Sequence, residues 1–388
     1  MKRYYFLAVL AVALGISCQG PTNAAVADAK MQQLVDTLDA VGLSVAVIKD
    51  NQLVYANAFG YKNLENKALL QPNDLMRIAS ISKSFTATSI MQLCEAGKFS
   101  LDDDISDALG FPVRNPRFPD QVITYRMLLS HTSSLSDAAG YFVLDVINPA
   151  KTPDVSGSFH EYAPGQGYEY CNLGFNTLGT LVEIHSGERF DAYVENHILK
   201  PLGLNASFNV NHLDSTQFAT IYAYEDGTFV PSYAAYNPRK EEIAHYVLGY
   251  STPIFSPTGG MKICASDLAK HMRIQMNGGS YEGVTILSPE SVKQMQTPQS
   301  RGERPTRDTT CGYGFALETT DRLIEGEMMT GHTGGAYGLL SAMYFNPEKK
   351  FGFVMMTNGC NTTIPYGDNG FAHIQSDVIN ALYDIFIR

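Results

Sequence analysis

Two pairs of strand-forming runs lie near opposite ends of this 388-residue chain, and they constrain its fold more than any other feature. Leu43-Ser44-Val45-Ala46-Val47-Ile48 and Leu53-Val54-Tyr55-Ala56-Asn57-Ala58-Phe59 are rich in β-branched and aromatic residues, and Lys49-Asp50-Asn51-Gln52 joins them as a hairpin. Ser341 to Phe345 and Phe351 to Thr357, joined through Asn346-Pro347-Glu348-Lys349-Lys350, read as a second hairpin. Asp28 to Ala40 reads as a first helix, with Met31, Leu34, Val35 and Leu38 on one face. Phe371, Ile374, Val378, Leu382, Ile385 and Phe386 fall at helical spacing, so the segment from Phe371 to Ile387 should be a closing amphipathic helix. Between residues 101 and 250 short helical patterns are broken by Pro and Gly, with Tyr-rich loops around Tyr222 to Tyr250. The reading is therefore an α/β part, about 28–100 and 251–388, with a mostly helical or irregular part inserted at about 101–250.

Composition sets the class of partner. Only 17% of residues are charged, below the roughly 25% of ordinary soluble domains, and 45% are hydrophobic, so a packed core is expected and charge-driven disorder is excluded. The net charge of −11, with no Lys/Arg-rich run, excludes a nucleic-acid partner. Lys2 and Arg3 precede an apolar stretch from Phe6 to Ile16, followed by small residues, the order of a secretory signal peptide over residues 1–27. Two processing routes fit: cleavage after Ala25-Val26-Ala27, or lipidation at Cys18, whose surroundings resemble a bacterial lipoprotein site although Leu14 stands four residues before it where three is usual. The expectation is an exported protein, periplasmic or secreted, that meets a membrane only through an N-terminal lipid at Cys18. The remaining cysteines, 94, 171, 264, 311 and 360, lack zinc-site spacing and read mostly as small buried hydrophobes; one disulfide among them is compatible with export.

The chain has no G-x-S-x-G elbow, phosphate-binding loop, dinucleotide fingerprint or H-E-x-x-H helix. It does have Ser80-Ile81-Ser82-Lys83 at the start of an apolar helical pattern (Phe85, Ile90, Met91, Leu93, Cys94) running to Gly97. Spacing of three puts Ser80 and Lys83 on one helical face, where a lysine can activate a serine hydroxyl as nucleophile. A helix N-terminus adds free backbone N–H groups beside the reacting atom. S-x-x-K alone arises by chance roughly once in a chain of this size, and a capped helix with a solvated lysine would explain it equally. Tyr170-Cys171-Asn172 supplies a candidate second acid/base and a hydrogen-bonding amide. His332-Thr333-Gly334-Gly335 precedes the second hairpin and reads as an edge strand whose glycines admit a substrate close to the backbone.

In this order the three motifs resemble those of the serine β-lactamase and penicillin-binding protein superfamily, in its class C β-lactamase, D-aminopeptidase and esterase branch: S-x-x-K, Y-x-N, and K-T-G or H-x-G. The stretch Ile123-Thr124-Tyr125-Arg126-Met127-Leu128-Leu129-Ser130-His131-Thr132-Ser133-Ser134-Leu135 is similar to a family stretch, as is Pro257-Thr258-Gly259-Gly260-Met261 through Asp267-Leu268-Ala269. The likeness spans about residues 30–388. It implies a β-lactamase/DD-peptidase-like fold, α/β plus all-α: an antiparallel sheet built from both chain ends, flanked by helices, with the inserted helical domain closing a cleft. It also implies roles: Ser80 as acylated nucleophile, Lys83 as its activating partner, Tyr170 as acid/base, Asn172, His332 and Gly334 in substrate binding, and the backbone N–H groups of Ser80 and Gly335 as oxyanion hole. Whether Lys83 or Tyr170 takes the Ser80 proton stays open, because the pair would titrate together. No metal or cofactor is implied.

His332 stands where many relatives have lysine. With a reference pKa of about 6.5, an imidazole is a weaker clamp for a β-lactam or D-Ala-D-Ala carboxylate, which favours the peptidase or esterase side. The expected substrate is a small molecule or peptide, cell-wall derived or otherwise: a D-amino-acid-containing peptide or amide, or a small ester. A class C-type β-lactamase or DD-carboxypeptidase is the enzymatic alternative, and a penicillin-binding-like sensor or scaffold without turnover is the non-enzymatic one. Other conspicuous residues read as structural: His131 as a buried hydrogen-bonder supporting the site, Cys171 as packing, and Asp102-Asp103-Asp104 as a solvated turn and helix start.

Overall fold

The computed structural model describes residues 22–302 and 310–388. The strands that carry the site are, in chain order, β1 (Gly42–Lys49), β2 (Gln52–Asn63), β3 (Ala68–Leu69), β4 (Met76–Arg77), β5 (Lys262–Ile263), β6 (Gly312–Tyr313), β7 (Glu318–Thr320), β8 (Met329–Ala336), β9 (Leu339–Asn346) and β10 (Phe351–Thr357). β4 and β5 pair with each other, and the rest form an eight-stranded antiparallel sheet in the order β6-β7-β8-β9-β10-β1-β2-β3. Both expected hairpins are there. Asp50 and Asn51 take φ of +49° and +61°, the paired positive values that a two-residue turn needs to match strand twist. Pairing of β1 with β10, in the register Leu43↔Thr357 to Ile48↔Gly352, joins the two ends of the chain into one sheet.

Alternation along β1 then divides the core. Leu43, Val45 and Val47 face helices α1 (Asn23–Thr37) and α5 (His373–Phe386), packing with Met31, Val378 and Leu382. Ala46 and Ile48 face the other way, into a cluster that continues through α2 (Lys83–Glu95), α3 (Asn172–Ser186) and α4 (Ala265–Met276). The boundaries read near residues 100 and 250 therefore mark chain connectivity, because one apolar core runs across them. The segment read as Tyr-rich loops contains a hairpin, Ile221–Glu225 with Thr228–Ser232, closed by Asp226 and Gly227 at positive φ. Pro231 is tolerated there because the ribbon has only two strands.

Helix α1 starts before the expected Asp28: Thr22 caps it, accepting from Ala25 N at 3.3 Å, and Ala27 is fully buried. The cleavage point after Ala27 falls inside this helix, while Cys18 and residues 1–21 lie outside the described residues. Cys171, Cys264, Cys311 and Cys360 are buried. No helix among the described residues is long and apolar enough to cross a membrane, and no cluster among them has the make-up of a metal site.

Candidate active site

Ala79 holds φ at +46°, a left-handed conformation that costs a non-glycine residue about 1–3 kcal/mol, and turns the chain from β4 into a 3₁₀ turn, Ala79–Ser82, that runs on into α2. In a 3₁₀ turn residues three apart eclipse, so Lys83 stacks over Ser80 with Nζ 3.2 Å from Oγ. Lys83 is fully buried, and its Nζ also donates to Asn172 Oδ1 and to the Thr258 carbonyl, each at 2.9 Å. Thr258 is in place because its segment is laced to α2: Thr86 Oγ1 donates to the Pro257 carbonyl at 2.7 Å and Met261 N donates to Ser82 Oγ at 3.1 Å.

Asn172 opens α3, whose N-cap Cys171 has no capping bond of its own. Asp137 supplies it from a distant loop. Its Oδ2 accepts from Asn172 N (2.9 Å) and Asn172 Nδ2 (2.8 Å), and its Oδ1 accepts from Leu173 N at 2.8 Å. Because a carboxylate claims Nδ2, the amide must turn Oδ1 toward Lys83 Nζ and Thr258 Oγ1, the latter donating at 2.6 Å. Sequence reading gave Asp137 and Thr258 no role. Neither stands at a recognisable spacing from Asn172, and only the fold brings them together.

Tyr170 lies with its ring centroid 4.7 Å from Lys83 Nζ and 4.2 Å from the His131 ring. His131 supports this segment as expected, accepting from Cys171 N through Nδ1 at 3.1 Å. Burial above all holds its pKa well below the usual histidine range, so it is a neutral acceptor at ordinary pH.

The opposite wall is β8. β7 pairs only with Met329–Gly331, so His332–Ala336 run on past its end, bonded to β9 on one side and lying against the Ser80 turn on the other. Gly334 is there by necessity, since a Cβ would sit 2.3 Å from the Ile78 carbonyl and 2.4 Å from Ser341 Oγ. His332 is buried, with Nδ1–H donating to the Thr333 carbonyl and Nε2 hydrogen-bonded to Tyr313 Oη at 2.9 Å. Tyr313 is a further residue that sequence reading missed. Two clefts meet at Ser80 and Gly335: one of about 480 Å³ lined by Tyr168, Tyr170, Tyr313 and His332, and one of about 730 Å³ lined by Arg77, Tyr141, Asn172, Thr258 and Tyr337. All seven sequence-derived site residues thus come together around one serine that has open space on both sides. A hydroxyl with a hydrogen-bonded amine, set between backbone N–H groups of a turn and of the end of β8 that runs past β7, can attack a carbonyl and hold the resulting oxyanion.

Known proteins share this architecture. Penicillin-binding protein 4* of Bacillus subtilis (strain 168) is 27% identical over 319 residues, covering 79% of this chain and 66% of that protein. Protein flp of Staphylococcus aureus (strain N315) is 22% identical over 354 residues, covering 87% and 63%. The chain thus spans just under two thirds of the length of these relatives. Among solved structures, the octameric penicillin-binding protein homologue from Pyrococcus abyssi superposes with a TM-score of 0.72 at 25% identity, covering 93% of this chain and 76% of that one. The D-amino acid amidase from Ochrobactrum anthropi SV3 gives 0.67 at 19% identity, covering 93% and 98%, a likeness of fold. A family model described as Beta-lactamase matches residues 27–371, the span that contains the sheet, the helical insert and every residue of the cleft, and the chain belongs to that family.

Proposed function

We propose that this protein is an exported serine hydrolase that works through an acyl-enzyme on Ser80, acting on D-amino-acid-containing peptides or amides, or on small esters. The observation that carries the reading is the environment of Lys83. Its Nζ donates to Asn172 Oδ1 and the Thr258 carbonyl, both pure acceptors, and these two bonds hold the amine 3.2 Å from Ser80 Oγ, within reach of the hydroxyl proton it would take. Ser80 Oγ then attacks the substrate carbonyl, and the Ser80 and Gly335 N–H groups receive the oxyanion. Tyr170, which lines the smaller cleft, is placed to protonate a leaving group there, and water completes turnover by the reverse path. An imidazole at His332, held by Tyr313, lacks the permanent charge of a lysine that would grip a β-lactam carboxylate, which supports the amide or ester side. Names among the structural neighbours, an amidase and the hydrolase EstCE1, are consistent with that choice.

A fluorophosphonate probe should label wild type and leave Ser80→Ala unlabelled; equal labelling of both refutes a nucleophilic Ser80. Side-by-side turnover of D-Ala p-nitroanilide, a p-nitrophenyl ester and a chromogenic cephalosporin should rank the cephalosporin last. Fast cephalosporin turnover overturns the reading of His332.

A further inference from the structure

Beside the catalytic cleft lies a second cavity of about 610 Å³, and its charge is one-sided. Arg77, Lys262 and Arg239 line it, and no Asp or Glu does. Arg77 and Lys262 are register partners in the β4–β5 ladder, so two cations stand directly opposite each other, an arrangement that destabilises a sheet. Lys262 is only 5% exposed, and its Nζ donates to the Phe208 carbonyl at 3.3 Å. Buried lysines are rare without a counter-charge, yet the charges acting on this one, Arg77 and Arg239, are both positive. Burial and these neighbours pull its pKa down to about 7. Arg77 donates Nε to the Gly259 carbonyl at 2.6 Å and lies 5.0 Å from the centroid of the Tyr337 ring; Arg239 has an ion pair with Glu242 at 3.5 Å, outside the cavity lining.

The cavity adjoins the larger of the two clefts at Ser80, sharing Arg77, Phe142, Ser256 and Tyr337 as a common wall. Tyr170, the proposed acid for the leaving group, lines the other cleft, so this side receives the acyl part of the substrate. We propose that the Arg77–Lys262–Arg239 cavity is an anion subsite that binds a carboxylate at the far end of the acyl group, making the preferred substrates monoesters or monoamides of short dicarboxylic acids, or acyl groups of that shape. The proposal rests on the serine-hydrolase reading and narrows its substrate class.

The test compares p-nitrophenyl monoglutarate with p-nitrophenyl pentanoate, which differ at the acyl terminus in a carboxylate against a methyl group. In each, Ser80 Oγ displaces p-nitrophenolate and water then releases the free acid. Wild type should favour the monoglutarate in kcat/KM by about tenfold or more, and Lys262→Met and Arg239→Gln should each lower that ratio toward one. Arg239 is partly exposed, so its variant decides the matter if Lys262→Met does not fold. A wild-type ratio near one, or a ratio unchanged in Arg239→Gln and in any folded Lys262→Met, overturns the subsite while leaving the hydrolase intact. Turnover of neither ester, with no fluorophosphonate label on Ser80, refutes the hydrolase reading itself and the subsite with it.

Discussion

Replacing Asp137 by asparagine tests how the site is held in place. Every direction the carboxylate faces contains a donor: Asn172 N and Nδ2 on one oxygen, Leu173 N and Cys171 Sγ on the other. Whichever oxygen becomes an NH₂ therefore confronts an N–H, and at least one backbone donor at the start of α3 loses its partner. An unsatisfied buried N–H costs about 1–3 kcal/mol, and loss of the anion at a helix N-terminus adds about 0.3–2 kcal/mol, so the variant should lose about 1–5 kcal/mol of stability. The catalytic effect is separate. With Nδ2 no longer anchored, the Asn172 amide can turn over and present a donor to Lys83 Nζ and Thr258 Oγ1, both of which now donate to its oxygen. We expect acylation of Ser80 to slow by about 10²-fold, or about 2.7 kcal/mol of transition-state energy. Urea unfolding reads the first effect and the burst phase of p-nitrophenyl acetate turnover reads the second. A variant destabilised as expected but acylated at the wild-type rate refutes the positioning role, and one unchanged in both refutes the whole account of Asp137.

Gly334→Ala forces a Cβ to within 2.3 Å of the Ile78 carbonyl, so it should separate β8 from the Ser80 turn, costing about 1–3 kcal/mol and most of the acylation rate; wild-type rates would show that the close approach is not needed. His271, stacked on Phe85 at 3.7 Å and fully buried, has its pKa pushed by burial down to about 3, below the roughly 6.5 of an unfolded histidine. The unfolded chain therefore binds the extra proton, and this group's influence is absent above about pH 6.5 and erodes stability as pH falls below it, by about 2 kcal/mol at pH 5. His271→Asn should flatten that decline between about pH 7.5 and 5, as measured by urea midpoints, and an unchanged slope would contradict the assignment.

Much of this architecture is legible in the sequence, for identifiable reasons. The hairpins at 42–63 and 339–357 follow from β-branched runs and turn residues that act locally, and Ser80 and Lys83 are three apart in one turn. What escapes is whatever the fold assembles from a distance. Asp137 reaches Asn172 from a loop 35 residues away, Thr258 reaches Lys83 across 175, and Tyr313 reaches His332 from another strand. The Ile221–Ser232 ribbon was hidden by Pro231 and its tyrosines, and the start of α1 by small residues that also suit a cleavage region. The cation pair in β4 and β5 is invisible until the two short strands, at opposite ends of the helical insert, are seen to pair.

The central claim is a covalent intermediate on Ser80, and it is tested most directly by acid-quenching the enzyme during steady-state turnover of p-nitrophenyl acetate and mapping the acetyl group by peptide mass spectrometry. The account predicts one acetyl on the peptide containing Ser80, absent from Ser80→Ala. Turnover with no adduct, or an adduct on another residue that persists in Ser80→Ala, would contradict it.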